Sequence, residues 1–523
     1  NNPANNKYYM LPFILGIIGL VFHYKKDKKD FSVVMMLFLL TGIAIVFYLN
    51  QSPHQPRERD YAYAGSFYAY AIWIGFSVMA IYQQFRKGMP QKVAALTSGI
   101  VLLGVPALMA SENWDDHDRS GRYTTRDFAV NYLNSCRENG ILFTNGDNDT
   151  YPLWYAQEVE GIRTDVRVSN LSYLRAGWYV EQMAHKAYDS EPFPLTHELH
   201  QLKKGSRDVV PIMNRVEGPV SIDKVIDFVA NEDSRTKMRS PFDRSKKISF
   251  FPTNHFKLEV DSAKVVSNGT VDKKYADKIV PEMNWKIKRQ YLLKDGLTIM
   301  DLIATNDWER PIHYAVTVSD SEYLNLGKYL QLEGLAYHLT PLKLKSQSAD
   351  KINTDRMYDL LMNKFKWGGI DKNDVYLNED NRRMLTNFRN QFGRLAGALV
   401  KENKPDSAEK VMDHCLEKID NSTLAYEFTL MPFIKNYYRI GETEKANHHL
   451  EILAENLNQE MYYYTTLGAR AAQFSRDIRR NMYMIKNLSD IAKANGQTEW
   501  KERLLESYDK YMKGLEQNLN RMR

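Results

Sequence analysis

The chain has 523 residues, enough for about three to four domains of roughly 150 residues each. Its hydrophobic, aromatic and charged fractions of 44%, 12% and 26% exclude a disordered chain, a collagen and a small disulfide-rich protein. Seventy Lys and Arg against 64 Asp and Glu give a formal net charge of +6, an excess too small to indicate a nucleic-acid-binding protein. The mean hydropathy of −0.49 averages a strongly apolar segment, residues 1–110, and a polar remainder.

Residues 1–110 contain four apolar stretches, and none of the four carries an internal Asp, Glu, Lys or Arg. Because about 20 apolar residues cross the roughly 30 Å of hydrocarbon in a bilayer, they predict four transmembrane helices. The stretches are Tyr9–Tyr24, Phe31–Leu49, Ser66–Phe85 and Val93–Ala110. A bundle of buried helices in a soluble protein is the alternative. Since the chain begins with Asn1 rather than Met, we expect more sequence upstream and a larger membrane core.

The connecting loops predict the orientation of these helices, because Lys and Arg collect on the cytoplasmic side. Loops His23–Asp30 and Gln83–Lys92 contain four and three basic residues and should face the cytoplasm. The loop Asn50–Gly65 carries two Arg balanced by two acids and should face the opposite side. The fourth helix then runs outward, so everything after residue 111 should lie outside the cytoplasm.

The outward loop contains Arg57 and Arg59 beside Glu58 and Asp60. Guanidinium groups bind phosphate through paired hydrogen bonds, so one interpretation is a clamp on the phosphate of a lipid-linked substrate. The alternative is a charge network in which these four residues pair with one another and position the helix ends.

Residues 116–127 have the spacing of a calcium-binding loop between two helices. Oxygen-bearing side chains stand at its first, third, fifth and twelfth positions, with Gly at the sixth, where a sharp turn is needed. The proposed ligands are Asp116, Asp118, Ser120 and Asp127. The alternative is a hydrogen-bonded turn of Asp caps and Arg partners, because the loop also contains three Arg and ends in Asp rather than Glu.

The segment that follows predicts a βαβ unit with a parallel strand pair. Its parts are a strand at Gly140–Thr144, a turn at Asn145–Thr150, a helix at Pro152–Glu160 and a strand at Val166–Leu171. Ligands of parallel sheets gather at the carboxyl ends of the strands, where Asp147 and Asp149 would lie. These two residues are candidates for a polar acceptor-binding site or a metal site, and helix capping is the alternative.

A second regular unit is predicted further along, with a helix at Thr298–Asn306 and a strand at Arg310–Val316. His313 alternates with apolar residues in this strand, which favours a hydrogen-bonded sheet histidine over a ligand. The two cysteines, Cys136 and Cys415, have no metal-binding spacing and are expected to be separate buried thiols.

Residues 381–523 change to a helical pattern. Pairs of helices about 34–40 residues long, with small residues where the helices cross, are similar to tetratricopeptide (TPR) repeats. The predicted helices are Met384–Glu402, Ser407–Ile419, Leu424–Arg439, Thr443–Leu457, Ala472–Asn495 and Thr498–Leu519. Such stacks form concave surfaces that bind protein segments. A helical cap that only stabilises the α/β part is the alternative.

Three motifs, in this order, resemble a family of large bacterial envelope membrane proteins, formerly classed as a domain of unknown function. That family is related to the animal protein O-mannosyltransferases and so to the GT-C glycosyltransferases. The motifs are Pro56–Tyr61 with Gly65–Ala69, Trp114–Tyr123 and Asn145–Pro152. The resemblance covers nearly the whole chain and is to the C-terminal half of the longer family members.

The resemblance implies transfer of a sugar from a lipid-phosphate donor to Ser or Thr of envelope proteins. GT-C enzymes usually carry the catalytic acid in their first outward loop, so we assign no catalytic residue here and expect the base upstream. Arg57 and Arg59 are then candidates for binding the donor phosphate. The implied location is the bacterial inner membrane, as a multi-pass protein with its C-terminal part in the periplasm.

The sequence therefore predicts a multi-domain protein. Its parts are a four-helix transmembrane segment at 1–110, an extracytoplasmic α/β domain at 111–380 and a TPR-like helical domain at 381–523. Expected partners are membrane lipid, a lipid-linked sugar donor and an envelope protein, but no nucleic acid. Two other functions stay open: a non-enzymatic membrane-anchored TPR scaffold, and a calcium-dependent adhesion or sensing protein that binds Ca²⁺ through Asp116 and Asp118.

Overall fold

The computed structural model describes residues 5–51, 59–240, 243, 245–345, 349–371 and 375–520. The chain divides into two compact units, Asn1–Ser120 and Gly121–Arg523. The second unit contains most of the predicted α/β part and all of the predicted helical part, and the division between those two at residue 380 stays a prediction.

The described part of the first unit is helical. Its helices are α1 Leu11–Lys26, α2 Lys28–Thr41, α3 Ile43–Leu49, α4 Ala64–Phe85, α5 Gln91–Glu112 and the short α6 Trp114–His117. Three helical segments in the described residues are long and apolar enough to cross a membrane: Lys28–Leu49, Asp60–Phe85 and Gln91–Glu112. They match the second, third and fourth predicted spans. The first predicted span, Tyr9–Tyr24, is helical only from Leu11 onward, and α1 has 16 residues and is about 24 Å long, short of the hydrocarbon thickness. Four spans are therefore not confirmed.

Helix α1 packs closely against α4. A Cβ atom on Gly19 would lie 1.6 Å from the backbone oxygen of Trp73, so only glycine permits this approach. Gly42, where α2 gives way to α3, is also closely packed, because a Cβ atom there would lie 2.6 Å from the hydroxyl oxygen of Ser66. Much of the apolar surface of these helices is exposed, as expected of a surface that faces lipid or other membrane helices.

The second unit begins with α7 Thr124–Ser135 and combines helices with short strands. Its further helices up to residue 359 are α8 Asp147–Glu158, α9 Gly177–Met183, α10 Ile222–Ala230, α11 Ser262–Ser267, α12 Lys294–Thr305 and α13 Thr354–Asp359. Its strands are β1 Ile141–Thr144, β2 Arg167–Asn170, β3 Val209–Pro211, β4 Val220–Ser221, β5 Lys237–Arg239, β6 Lys247–Ser249, β7 His255–Glu259, β8 Glu282–Lys286, β9 Tyr291–Leu293, β10 Ile312–Ala315, β11 Leu330–Glu333 and β12 Ala336–Leu339.

A five-stranded sheet in the order β11-β12-β10-β1-β2 forms the centre of this part. Strands β10, β1 and β2 are parallel, with Ile141 opposite Ile312 on one side and Arg167 on the other. Strands β12 and β11 add antiparallel pairs at the other edge. The predicted parallel pair, the helix between its strands and the later strand with His313 are therefore confirmed.

The start of α8 differs from the prediction. The predicted turn Asn145–Thr150 is helical from Asp147 onward, five residues before the predicted start at Pro152. Two acids, Asp147 and Asp149, lie in the first turn, where the positive end of the helix dipole stabilises negative charge. Pro152 lies inside the helix, so the sequence rule that places Pro at a helix start was wrong here.

The C-terminal helices are α14 Glu379–Lys401, α15 Pro405–Lys418, α16 Met431–Ile440, α17 Thr443–Thr466, α18 Ser475–Ala494 and α19 Thr498–Asn520. They confirm the predicted helices in outline, while a TPR-like repeat is not confirmed. The two largest differences are at Thr443–Leu457, whose helix continues to Thr466, and at Leu424–Arg439, whose helix begins only at Met431. The buried guanidinium of Arg389 donates to the backbone oxygens of Ile419 and Leu424, and these bonds hold the preceding segment as a loop.

Buried side chains from α7 to α19 form one continuous hydrophobic cluster. For example, Phe128 of α7 stacks on Phe388 of α14 with ring centroids 5.8 Å apart. The cluster includes Cys136 and Cys415, which are free and buried, as predicted.

Candidate functional site at the carboxyl edge of the sheet

The carboxyl ends of β10, β1 and β2 lie at one edge of the sheet. After β1 the chain passes through α8 and returns as β2, which pairs with one side of β1. Strand β10 pairs with the other side of β1, so the sheet extends in opposite directions from these two strands. In open α/β sheets such a change in direction marks the place where ligands bind, and we refer to the region between the carboxyl ends of β1 and β10 as the crevice. We call the residues around it the carboxyl-edge site.

Asp149 connects the two sides of this crevice. Its buried carboxylate, in the first turn of α8, accepts a hydrogen bond from the hydroxyl of Thr317, which follows β10. The hydroxyl of Tyr132 lies 3.4 Å from the same Thr317 oxygen. Burial raises the pKa of Asp149, and the bond from Thr317 opposes this rise. Burial, together with the charge of Asp149, raises the pKa of Tyr132 well above its usual value.

Side-chain hydrogen bonds hold the turn between β1 and α8. The Thr150 hydroxyl donates to the backbone oxygen of Gly146 at 2.9 Å and accepts from the side-chain amide of Asn170 at 2.9 Å. The Ser172 hydroxyl donates to the side-chain oxygen of Asn145 at 2.9 Å. The turn after β1 and the loop after β2 are thus fixed to each other.

Aromatic rings next to this turn form a partly exposed surface. Tyr151 and Trp154 of α8 have ring centroids 5.6 Å apart, Trp154 stacks on Tyr173 at 6.2 Å, and Tyr173 contacts Trp178 at 6.3 Å. Tyr151 and Trp178 are 48% and 63% exposed, so their rings are accessible to a ligand. We call these four residues the aromatic surface. The hydrogen bond between the Tyr151 and Tyr173 hydroxyls, 2.8 Å long, raises the pKa of Tyr173 to about 12.

The predicted acceptor residues both lie at this edge but in different environments. Asp149 is buried against Thr317, while Asp147 is exposed at the N-terminus of α8. Of the predicted phosphate-binding pair, Arg57 lies outside the described residues, and Arg59 is exposed just before the turn that leads into α4. The roles of these four residues stay predictions.

The proposed calcium ligands have hydrogen-bond partners within the protein. Asp116 accepts from the side chain of Asn6 at 3.0 Å and contacts the His117 ring at 2.6 Å, and Asp118 accepts from the backbone N–H of Ser120 at 2.7 Å. The bond with His117 lowers the pKa of Asp116, and the bonds with Ser120 lower that of Asp118.

The fourth proposed ligand, Asp127, lies in α7. It accepts from the backbone N–H of Gly368 at 2.9 Å and from Arg126 at 2.7 Å. These contacts resemble the capped turn that the sequence left open as the alternative, and calcium binding stays a prediction.

Sequence reasoning missed a buried charged cluster around β11, the outer strand on the far side of the sheet from β2. Glu333 of β11 is fully buried and accepts hydrogen bonds from Arg137 at 2.6 and 3.0 Å and from the side-chain amide of Asn353 at 2.8 Å. Arg356 of α13 lies 2.9 Å from the same carboxylate. We call these residues, with His313 and His338, the Glu333 cluster.

The two histidines of this cluster pair directly across β10 and β12. Their rings stack with centroids 4.8 Å apart, and both are fully buried. Nε2 of His313 accepts from the backbone N–H of Arg137 at 3.3 Å, whereas Nδ1 of His313 and both ring nitrogens of His338 have no hydrogen-bond partner among the described residues. His313 is a sheet histidine as predicted, but only one of its nitrogens is bonded.

His313, Glu333 and His338 bring potential metal-ligand atoms within 4.8 Å of one another. Two histidines and a glutamate are a known zinc ligand set. However, guanidinium groups of Arg137 and Arg356 already contact both Glu333 oxygens, so a divalent cation would meet two fixed positive charges. The arrangement therefore fits a structural ion-pair cluster better than a metal site.

The apolar helices and the mixed sheet with its carboxyl-edge crevice define the class: a multi-domain membrane-associated protein with an α/β part. Residues 125–356 match the family model described as TMEM260-associated domain 2. TMEM260 is linked to proteins of the protein O-mannosyltransferase type. The matched region contains both the carboxyl-edge site and the Glu333 cluster. No curated protein and no solved structure matches the chain.

Proposed function

We propose that this chain is part of a GT-C-like membrane glycosyltransferase that moves a sugar from a lipid-linked phosphate to Ser or Thr hydroxyls of envelope proteins. The observation that carries the proposal is the carboxyl-edge site inside the matched region 125–356, in a chain with apolar helices long enough to cross a membrane. The proposal includes α1 as a fourth membrane segment, completed by other parts of a larger membrane core.

In this proposal the enzyme lies in the bacterial inner membrane, with the segment after residue 111 in the periplasm. The two basic loops, His23–Asp30 before the second apolar stretch and Gln83–Lys92 after the third, support this orientation. Arg57 and Arg59 would bind the donor phosphate, because paired guanidinium groups suit phosphate geometry. The C-terminal helices would form a TPR-like support for the acceptor protein.

The carboxyl-edge site would hold the acceptor segment. Asp147 offers an exposed carboxylate that can accept a hydrogen bond from an acceptor hydroxyl or amide. The aromatic surface beside it offers ring faces for an apolar side chain or the C–H face of a sugar. Asp149 would act as a positioning residue, because its bond to Thr317 fixes the N-terminus of α8 relative to β10.

The proposal can be tested by complementation in the organism that makes this protein. Strains that lack the chain are complemented with wild type, Asp147→Asn, Trp178→Ala, or a control, Tyr483→Ala, which changes another exposed aromatic residue far along the sequence on α18. We expect the first two variants to reduce O-linked sugar on envelope proteins, measured by mass spectrometry, while the control keeps it. Unchanged glycosylation in the strain that lacks the chain would refute the proposal.

A membrane-anchored scaffold is the second candidate, and the long helical region α14–α19 favours it because helical stacks commonly bind protein segments. A scaffold predicts that glycosylation stays unchanged in an Arg57→Ala/Arg59→Ala variant while a protein partner is lost from the purified complex. The calcium function of Asp116, Asp118, Ser120 and Asp127 can be tested separately by calorimetry of the full chain with CaCl₂.

A further inference from the structure

A groove of about 570 Å³ lies in the C-terminal half of the second unit. Helices α14 and α16 form most of its walls, with contributions from α18 and from the segment 349–352. Its volume falls within the range of ligand-binding clefts, which is about 300–1,000 Å³. The groove is separate from the carboxyl-edge site and from the Glu333 cluster, with which it shares no residue.

The charged residues that line the groove all have the same sign. They are Lys351, Arg394, Lys401, Lys435 and Arg439, and no Asp or Glu is among the described lining residues. The chain as a whole has nearly equal numbers of acidic and basic residues, 64 and 70, so a lining with five basic residues and no acidic one is a strong local departure. A cleft lined by one sign of charge concentrates ligands of the opposite sign.

Two of these cations are fixed by neutral groups. Arg394 donates to the Tyr337 hydroxyl at 2.8 Å, with its guanidinium 5.3 Å from the centre of that ring. The ammonium of Lys351 donates to the backbone oxygen of Gly327. Burial and the nearby charge of Arg394 lower the pKa of Lys351 to about 8 against the opposing effect of Asp320, so the two cations repel each other. An anion in the groove would relieve this repulsion.

Lys435 and Arg439 stand one helical turn apart on α16 and are exposed. Residues four apart lie on the same face of a helix, so both cations can contact one bound chain. The lining also includes apolar side chains, among them Phe428, Met431 and Ile491, next to two asparagines, and Phe428 is 49% exposed. The groove thus combines positive charge with an accessible apolar floor.

We propose that this groove binds an acidic polypeptide segment with interspersed apolar side chains. Carboxylates would pair with the cations, and apolar side chains would contact Phe428 and Met431. A polypeptide fits better than a membrane surface because the site is concave, whereas lipid headgroups present a broad flat surface. The proposal goes beyond the proposed function, since it requires no sugar transfer.

The experiment uses the full chain purified in an uncharged detergent and a fluorescent peptide that alternates Glu with Leu. Binding is followed by fluorescence anisotropy at low salt, and a peptide that alternates Gln with Leu is the matched ligand control. The test variant is Lys435→Glu/Arg439→Glu. The control variant, Lys410→Glu/Lys513→Glu, changes the net charge equally at exposed positions outside the groove.

We expect the Glu peptide to bind wild type at least about tenfold more tightly than the Gln peptide. The test variant should lose about tenfold or more in affinity, and the control variant should stay within about twofold of wild type. A milder pair, Lys435→Gln/Arg439→Gln, should fall between the two, and equal thermal midpoints show that the fold is retained. Equal binding of both peptides, or equal loss in the control variant, would overturn the proposal. So would binding of phosphatidylglycerol vesicles that depends on Lys435 and Arg439 without any binding of the Glu peptide.

Discussion

The hydroxyl of Thr317 donates a hydrogen bond to the carboxylate of Asp149. This bond joins the first turn of α8 to the loop after β10, so it crosses the crevice between the two strands that flank the change in chain direction. The carboxylate is buried, and burial raises its pKa. The charge of a buried acid whose charged form is disfavoured does not stabilise the fold at neutral pH. We therefore infer that Asp149 serves to hold the first turn of α8 against the loop after β10.

The first prediction concerns this bond. Asp149→Asn removes the disfavoured charge but keeps an oxygen that can accept from Thr317, so the thermal midpoint of the full chain at pH 7 should stay unchanged or rise and O-linked sugar on envelope proteins should be retained. Thr317→Val leaves the buried carboxylate without its donor and should cost about 1–3 kcal/mol. The measurements are thermal unfolding in detergent and glycoprotein mass spectrometry. Thr317→Val should also lower O-linked sugar, and normal glycosylation by the folded variant would show that this bond has no part in function.

Part of this site follows from sequence and part does not. The strand, the polar residues after it and the next strand predict that Asp147 and Asp149 lie at the carboxyl edge, because the chain pattern is local. Thr317 is 168 residues away from Asp149 in sequence, and no local pattern links the two. The position of β10 beside β1 is set by packing of the whole sheet, which sequence periodicity does not reveal.

The second prediction concerns the buried Glu333 cluster. Glu333→Gln removes the negative charge that two buried or half-buried guanidinium groups contact, so it should cost about 3–5 kcal/mol of stability. The measurement is the thermal midpoint of the full chain in detergent, followed by tryptophan fluorescence. Glu451→Gln on the exposed face of α17 is the control and should change stability by less than about 0.5 kcal/mol. A Glu333→Gln midpoint equal to that of wild type would contradict the role of this cluster.

The third prediction is a loss of stability in mild acid. Burial lowers the pKa of both His313 and His338, while a histidine in the unfolded chain titrates near about 6.5. Below that pH the unfolded chain binds protons that the folded chain does not, so stability should fall as the pH falls from about 6.5. The variant His313→Gln/His338→Gln should make the profile between pH 5 and 6.5 shallower, while His449, whose pKa burial lowers to about 4, keeps part of the slope.

Glu333 should add a second loss at lower pH. Burial alone would raise its pKa, but the charge of Arg137 outweighs burial and holds the pKa well below the usual range. Its stabilising contribution is therefore complete above about pH 4.5 and is lost as the pH falls further. The histidine variant should keep this second loss. Equal acid sensitivity of wild type and variant between pH 5 and 6.5 would assign the effect to other groups.

The sequence could not reveal the Glu333 cluster because its members come from distant segments. Arg137 and Glu333 are 196 residues apart, and each looks like an ordinary surface charge in its own segment. His313 was correctly placed in a strand by alternation, yet its stacking on His338 depends on the pairing of β10 with β12. In the helical tail, the late start of α16 at Met431 depends on the buried Arg389, which is likewise a tertiary effect.

The last prediction concerns the sidedness on which the proposed function depends. Cys136 and Cys415 are buried, and burial raises the pKa of each thiol to about 12, so neither should react with a maleimide at pH 7. A single introduced cysteine should therefore be the only thiol of this chain that reacts.

We expect Lys410→Cys, on an exposed part of α15, to be labelled by a membrane-impermeant maleimide in intact spheroplasts, because its segment should lie outside the cytoplasm. Lys87→Cys, in the basic loop between α4 and α5, should be labelled only after the membrane is opened. Labelling with the opposite sidedness would place Arg57, Arg59 and the carboxyl-edge site on the cytoplasmic side, where the proposed acceptor is absent, and the glycosyltransferase proposal would then fail.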